Sequence, residues 1–590
     1  MKYRLRKEYS KNPDEALNEI LKDRGVVDLY DFYNPSFECE LDPYALDNID
    51  LAADKLLEHL QKDSNILILV DCDVDGFTSA SILWNYIKNI FPQAKLNFTL
   101  HEHKQHGLDD KIDWIEEQNF NLIICPDSAS YDITEHKRLY ELGIDCICLD
   151  HHEIPTDENG NEIKPDLNYA IVVNNQLSDY YTNKSLCGAG VVYKFCEVLD
   201  NICGIDLAQT FLDLAAFGEI ADVMDRTNIE TNYIMMEGLK NIRNKGLQVL
   251  IEAQSYSLKE KATFPYYGLT PIDIAFYIAP LINSIIRVGS MQEKEAAFYC
   301  FIEPDKELPS TKRGAKIGDI ETAAEQTARI GKNAKSRQDK LKEKAIDLID
   351  FKIQKDGLND NNVIIVELDD KDKIKPELNG LVAMAIVNKY NKPCLIVHRN
   401  EQNLLQGSAR SNNNFAEISN FKEYLSESGY FEYTAGHDAA FGAGIQASKL
   451  PSFLNYVNSN LSEDAFDKCY TVDYILDASE PDVSLLLYSL AEHPEFFGNH
   501  IDEIKVVIKN IELSSIMAMG ANKDSMKISY NGIDYVRFKD MDFVDTIMNN
   551  RIDKLTVYVR ANLNTFAGRT SIQVFIDDYE LLKDKNKYDF

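Results

Sequence analysis

"ILILVDCDVDGFTSASILW", residues 66–84, runs an unbroken aliphatic stretch into three aspartates at alternate positions, Asp71, Asp73 and Asp75, followed by Gly76. A short, wholly apolar run closed by such a turn reads as a strand buried on both faces, and the amphipathic stretch after it reads as a helix. The pattern recurs, with apolar runs at 65–70, 95–100, 121–125, 146–149 and 170–173 separated by helix-like segments. Alternation of this kind predicts βαβ units, a parallel sheet with helices on both faces, and a ligand site beyond the carboxyl ends of the strands.

The acids fall at those ends. The first run finishes in Asp71, Asp73 and Asp75, the third in Cys125, Pro126 and Asp127, and the fourth in Asp150, His151 and His152; farther on, the apolar segment 212–225 presents Asp222. One aspartate behind a strand reads as a helix N-cap, and a His-His pair as packing. Carboxylates and imidazoles sent from several strands to one sheet edge repel one another unless cations neutralise them. Hard divalent ions prefer carboxylate oxygen with some imidazole, and two of them side by side suit displacement at phosphorus. The residues alone therefore predict a metal site for phosphoester hydrolysis.

Composition bounds the rest. With 590 residues, 45% hydrophobic and 10% aromatic, the chain is long enough for several cores, and its aromatic content argues against disorder. The N-terminal segment lacks the apolar core of a signal peptide, and no uninterrupted apolar stretch reaches the roughly 18 residues a membrane span requires, so a soluble, cytoplasmic protein with no membrane partner is expected. Eleven cysteines, an odd number without a CxxC pair, lie partly inside apolar runs; Cys146 and Cys148 would face one side of a strand, and buried thiols in a reducing compartment are expected. A formal charge of −34 argues against nucleic-acid binding over the whole surface, so a polyanion must meet a local basic track or metal ions.

Four stretches, "DCDVDGFTSA" (71–80), "PDSAS" (126–130), "LDHHE" (149–153) and "GEIADVMD" (218–225), resemble the motifs of the DHH phosphoesterase superfamily, and the order of the surrounding segments is similar to that of the RecJ-like single-strand DNA exonucleases. "LCGAGVVYKF" (186–195), "APLINSIIRVGS" (279–290), "LNGLVAMAIVNKYNKPCLIV" (378–397), "GSARS" (407–411) and "AGHDAAFGAGI" (435–445) extend the resemblance over most of the chain. It implies an α/β multidomain protein: an N-terminal lead-in (1–47), a parallel-sheet DHH catalytic domain (48–317), a long connecting helix (318–351), an α/β DHH-associated substrate-binding domain (352–460) and an OB-like β-barrel with a short C-terminal tail (461–590).

The resemblance also implies roles. Asp73, Asp75, Asp127, His151 and Asp222 would ligate two divalent ions, Mn²⁺ or Mg²⁺, with Asp127 as the bridge and Asp71 farther out or weakly bound. Asp150 would orient His151, and His152 would face the scissile phosphate. "GSARS" joins small residues, two hydroxyls and a guanidinium, a set able to cradle a phosphate; Ser408, Arg410 and Ser411, with His437, would hold a terminal phosphate, completed by Asn283 and Arg287. The implied activity is 5′ to 3′ hydrolysis of single-stranded DNA to nucleoside 5′-phosphates in recombination, repair or replication, by a monomer that meets single-stranded DNA and a single-strand-binding protein or helicase. Two alternatives share the core: a hydrolase of oligoribonucleotides or cyclic dinucleotides, which lacks a third module, and a non-catalytic replication scaffold, which loses motif carboxylates.

Several stretches depart from the family pattern. Leu281 and Ile286 stand where an arginine and a glycine are usual, Ser128 and Ala129 replace a donor and a flexible residue, and "HEHKQHGLDD" (101–110) replaces an arginine and "GYG". In the connecting segment Ile330, Leu341, Ala345 and Ile349 predict one buried stripe, while Arg329, Lys332, Lys335, Arg337, Lys340, Lys342 and Lys344 make it the most basic stretch of the chain. Beyond residue 466, five β-like runs predict a small barrel whose Tyr530, Tyr535, Phe538, Tyr558 and Phe566 either stack bases or fill its core. The tail "DKNKYDF" (584–590) reads as a frayed end or as a docking peptide for a replication partner.

Overall fold

The computed structural model describes residues 1–582 except Lys104, 156–160, Tyr267, 413–414, 416–417, 419, 550–551 and 567–568, and the side chains of Asp370, His437, Glu463, Asp464 and Phe566 are also outside the description. The tail 584–590 therefore lies outside the described residues. The chain forms two compact units: residues 21–337 with 495–502, and residues 1–20 with 338–494 and 503–590.

In the unit built on 21–337, five strands form one sheet: β1 (Asn65–Val70), β2 (Lys95–Leu100), β3 (Leu122–Pro126), β4 (Asp145–Asp150) and β5 (Ile171–Asn174). Every pairing is parallel and the order is β2-β1-β3-β4-β5. The strand order reverses around β1, so the crevice between the carboxyl ends of β1 and β3 is the topological switch point where such sheets take ligands. Residues 66–70 are all fully buried because both faces of β1 are covered. Ile66, Ile68 and Val70 join a large core with helices α1 (Val74–Ile90), α3 (Gly188–Cys203) and α4 (Leu212–Ala221), whereas Leu67 and Leu69 join a smaller core on the other face, covered in part by α2 (Ile133–Glu141).

Leu281 and Ile286, two of the departures from the family pattern, lie on the helix Ala279–Val288 and are buried in the large core; a side chain on Gly331 would collide with Leu281. The helical stretch Pro271–Val288 is long and apolar enough to cross a membrane by length and composition, but Asp273, Asn283 and Arg287 interrupt it and half of it is buried in this core.

The connecting helix runs from Ala323 to Asp356, later than expected at its start. Residues Ile320–Thr322 pair instead with Glu307–Pro309, and Thr322 then caps the helix: its Oγ1 accepts from the Glu325 N–H while its own N–H donates to the Glu325 carboxylate. Ile330, Ala345 and Ile349 are buried but Leu341 is 38% exposed, so it leaves the expected stripe. Part of the basic face is engaged, Arg329 with Glu321 and Arg337 with Glu293, both at 2.7 Å, while Lys340 and Lys344 are exposed.

Among its described residues the other unit holds three sheets, two of them large. One, in the order Phe431–His437, Ala440–Gln446, Leu404–Arg410, Cys394–Arg399, Ile364–Leu368, packs against the helix Asn379–Tyr390. The second has seven strands, Tyr474–Asp477, Lys505–Glu512, Lys554–Phe566, Arg569–Leu582, Ile533–Arg537, Ser525–Tyr530 and Ile516–Met519 in spatial order. Its first and last strands are not paired among the described residues, so the sheet is open rather than a closed five-stranded barrel. The count rises by two because "MKISYNGIDYVRF" is a hairpin and Ile516–Met519 adds a strand. Asn531 (φ 47°) and Gly532 (φ 78°) both adopt the left-handed backbone that a tight two-residue turn demands. Tyr535 and Tyr558 are core residues, whereas Phe538 is 55% exposed. Residues Lys2–Leu5 pair in parallel with Cys469–Val472, which places the first residues of the chain in this unit.

Candidate metal centre and active site

The run that opens the sequence analysis breaks at Val70 because Asp71 and Asp73 face the crevice. The Asp73 side chain caps α1 by accepting from the Gly76 N–H at 2.9 Å. Asp75, in the first turn of α1, accepts from the first two amides of α3, Gly188 N at 2.7 Å and Ala189 N at 2.9 Å, where the positive end of the helix steadies its charge. Asp127 follows β3 with φ 65°, its own N–H donating to Leu149 O; Asp222 is the C-cap of α4. His151 joins these groups. Its Nε2 lies 3.2 Å from Asp127 Oδ1, 3.6 Å from Asp222 Oδ2 and 3.7 Å from Asp75 Oδ2.

Ligand atoms gather in overlapping triads, each within 4.8 Å: Asp71, Asp73 and Asp127; Asp127, His151 and His152; Asp75, His151 and Asp222. Asp127 and His151 each serve two triads, so the donors form adjoining pockets rather than one. Oδ1 of Asp127 and Oδ1 of Asp71 are buried with no hydrogen-bond partner among the described residues, a cost of about 1–3 kcal/mol each that a cation removes. Burial and the surrounding aspartates push the Asp73 carboxyl up to about 6, that of Asp222 up to about 8, and that of Asp127 well above its ordinary value. The residues present fit hard divalent cations.

Asp150 does something other than the sequence suggested. Its Oδ1 accepts from the backbone N–H groups of His151 and His152 and from His152 Nδ1 at 2.7 Å, and its Oδ2 accepts from Ser130 N. The carboxylate thus orients the His152 ring, not that of His151, because the chain after β4 wraps round it and turns the His151 ring toward the acids. Burial raises the Asp150 carboxyl, but the two imidazoles outweigh it and hold it low. Burial lowers His152, and Asp150 more than offsets this, bringing it to about 9.

Two glycines make room for the cluster. A Cβ on Gly188 would lie 2.5 Å from the Cβ of Asp127, and one on Gly76 would lie 2.5 Å from that of Asp71. Gly188→Ala is accordingly expected to displace Asp127 and lower Mn²⁺ affinity about 10- to 100-fold, read by titration calorimetry; unchanged affinity would show that the Asp127 position is immaterial. At Ala129 the chain holds φ 72°, the backbone that the usual family glycine accommodates without strain. Ala129→Gly should therefore stabilise the protein by about 0.5–1 kcal/mol in thermal unfolding, the opposite sign to most glycine substitutions.

Residues not singled out from the sequence also enter the site. His106 donates to Asp71 Oδ2 at 2.6 Å, and that hydrogen bond lifts the imidazole to about 11; His101 Nε2 lies 3.9 Å from Asp71 Oδ1. Both come from "HEHKQHGLDD", directly after β2, and three histidines in ten residues at a strand's carboxyl end were the available signal. Glu219, fully buried on α4, accepts from Cys187 N at the start of α3. Arg226 is fully buried, its guanidinium donating to Asn232 Oδ1 and to the carbonyls of Glu495 and Phe497. Asn499, in the same 495–502 segment, donates to the carbonyls of Glu219 and Ile220, just before Asp222.

The expected phosphate contacts divide between the two units. Arg287 lies in the metal-site unit, where burial lowers its guanidinium and the Asp73 charge opposes that; Asn283 is one turn earlier on the same helix. Ser408 and Arg410 lie on the strand Leu404–Arg410, and register places Arg410 and His437 on either side of Ala440. A Cβ on Gly380 would touch the Arg410 guanidinium at 2.3 Å, so this helix start is shaped to it. Ser411 is buried, with an Oγ that has no hydrogen-bond partner among the described residues. The side chain of His437 is outside the description.

The DHH family, N-terminal domain, matches residues 65–218, and the RecJ OB domain matches residues 472–578. The SPbeta prophage-derived protein YorK of Bacillus subtilis (strain 168), which carries the name single-strand DNA-specific exonuclease, is 34% identical over 600 residues, covering 100% of this chain and 99% of its own. The chain belongs to the RecJ-like single-strand DNA-specific exonuclease family. The single-stranded-DNA-specific exonuclease RecJ of Bacillus subtilis is 26% identical to this RecJ-like chain over 553 residues, 91% of this chain and 64% of that one. The crystal structure of RecJ in complex with Mn²⁺ from Thermus thermophilus shares the fold, with a TM-score of 0.68 at 19% identity over 96% of this RecJ-like chain and 76% of the other.

Proposed function

We propose that this chain is a metal-dependent exonuclease that hydrolyses single-stranded DNA from its 5′ end, releasing nucleoside 5′-phosphates in recombination, repair or replication. The convergence of Asp71, Asp73, Asp75, Asp127, His151 and Asp222 at the switch point carries this reading, and a prophage relative named as a single-strand DNA-specific exonuclease supports it. In this reading Asp73, Asp75, Asp127, His151 and Asp222 hold two ions, Mn²⁺ or Mg²⁺. Bound there, the ions supply an activated water and neutralise charge on the phosphorus oxygens. Asp150 fixes His152 so that Nε2, protonated opposite Nδ1, can donate to a phosphate oxygen. Arg287 adds a fixed positive charge beside Asp73. Arg410 and Ser411 bind the 5′-terminal phosphate, which sets the polarity.

The experiment is cleavage of a single-stranded oligonucleotide labelled at either end, with Mn²⁺, Mg²⁺ or chelator, as DNA or RNA, with a 5′-phosphate or 5′-hydroxyl. Mononucleotide release from the 5′ end of DNA, abolished by chelator, is expected; release from the 3′ end, or cleavage of short RNA alone, would overturn the reading. Arg410→Ala should raise KM for 5′-phosphorylated DNA about 10- to 100-fold and erase the preference over 5′-hydroxyl DNA, with kcat little changed.

A further inference from the structure

On the face of the sheet away from α1 and α3, the strands send three thiols into one aliphatic layer. Cys125 on β3 stands directly opposite Cys148 on β4, and Cys146 is two residues back on the same side of β4. All three are buried, and their sulfurs lie within 4.8 Å of one another. A fourth donor comes from α2: His136 is fully buried, its Nε2 lies 3.4 Å from Cys148 Sγ, and its ring also stands against Cys146. Its Nδ1 has no hydrogen-bond partner among the described residues.

Buried cysteines ordinarily act as small hydrophobes, and Leu67, Leu69 and Ile123 around them fit that role. The imidazole does not. Its Nε2 is turned to Cys148 Sγ inside an apolar layer, and the cost of burying a polar ring there is offset by a bond to that nitrogen. Three sulfurs and one imidazole nitrogen are the donor set of a closed tetrahedral zinc site. With Zn–S near 2.3 Å and Zn–N near 2.0–2.1 Å, the tetrahedral S···N edge is about 3.5 Å and the S···S edge about 3.7 Å. The His136–Cys148 separation already meets the first, and the sulfurs need close by no more than about 1 Å to meet the second.

We propose that Cys125, His136, Cys146 and Cys148 form a structural zinc site of the Cys₃His type, distinct from the acid cluster. Binding forms three Zn–S bonds and one Zn–N bond as the thiol protons leave to solvent, with no change of oxidation state. Thiolate and imidazole select zinc, whereas the carboxylates select Mn²⁺ or Mg²⁺, so the two sites sort different ions. Cys125 lies two residues before Asp127 and Cys148 two before Asp150, so the zinc ties together the two strand ends beneath the active site.

The test is elemental analysis of the full-length protein after passage over chelating resin, with absorption spectroscopy of protein produced in cobalt-supplemented medium. About one zinc per chain is expected, with a near-ultraviolet thiolate-to-cobalt charge-transfer band that an oxygen-ligated site cannot give. Cys146→Ser and His136→Ala should each remove both signals, and Asp127→Asn should leave both intact. Less than about a tenth of a zinc per chain, a cobalt spectrum without the sulfur band, or a mass two hydrogens short, which marks a disulfide, would overturn the proposal. These wild-type readings decide the matter even where a variant fails to fold.

Discussion

Asp127→Asn is expected to abolish manganese-dependent cleavage, by about 10³-fold or more, equivalent to roughly 4 kcal/mol of barrier, while raising the melting temperature of the metal-free protein. Both effects have one cause. Asp127 is fully buried among Asp71, Asp73, Asp75 and Asp222, and burial and their charges push its carboxyl well above the usual range. Removing that charge relieves repulsion in the free protein and removes the donor shared by two triads. The pH dependence follows from the same shifts. A carboxyl raised on folding binds its proton more tightly in the native state, so its stabilising contribution is complete below the unfolded value and declines as pH rises toward the folded one. With Asp73 at about 6 and Asp222 at about 8, the metal-free protein should lose stability steadily between about pH 4 and pH 8. Mn²⁺ replaces those protons, so the rise in melting temperature on adding Mn²⁺ should grow from pH 5 to pH 8 and shrink sharply in Asp127→Asn. A shift independent of pH, or equal in the variant, would separate the cluster from metal binding.

The sheet was legible because its inner strands are buried on both faces. An uninterrupted run such as "NILILV" has no other stable placement and matches Asn65–Val70 residue for residue; the half-exposed edge strand Lys95–Leu100 was legible instead from the alternation of Leu96, Phe98 and Leu100. The clustering of strand-end acids was legible for the same reason, since parallel strands bring their carboxyl ends to one edge. The role of Asp150 was not, because sequence order does not say round which of two following imidazoles a carboxylate folds. His106 reaches Asp71 from 35 positions away, along a stretch that departs from the family pattern. His136 meets Cys148 only because α2 lies across that face of the sheet. The edge strand Ile516–Met519 of the last sheet was not read from the sequence, being short and half exposed.

Arg226→Ala is expected to lower thermal stability by about 3 kcal/mol and, separately, to weaken Mn²⁺ binding about 10- to 100-fold. Burial and the Glu495 charge act on the Arg226 guanidinium in opposite directions. Burial lowers its guanidinium to about 9, and its charge is met by Asn232 Oδ1 and by backbone carbonyls of Glu495 and Phe497, the former 269 positions away. Phe496, between those carbonyls, packs on Phe32 and Tyr33 at 5.5 and 4.9 Å, and the guanidinium lies 5.4 Å from the Phe32 ring. Truncation leaves three buried acceptors unpaired and frees the 495–502 segment. That segment also carries Asn499, whose amide satisfies the carbonyls of Glu219 and Ile220 where α4 ends. Asp222 follows immediately, and Val223 holds a strained φ of 59° that a β-branched residue seldom adopts, so the helix end keeps its ligand in place only while it is tied. Hydrogen exchange should show loss of protection at 495–502 and at 219–223 together in Arg226→Ala. Asn499→Ala should affect 219–223 and Mn²⁺ affinity with a smaller loss of stability. Equal destabilisation with Mn²⁺ affinity unchanged would make Arg226 a packing residue alone and detach the segment from the metal site.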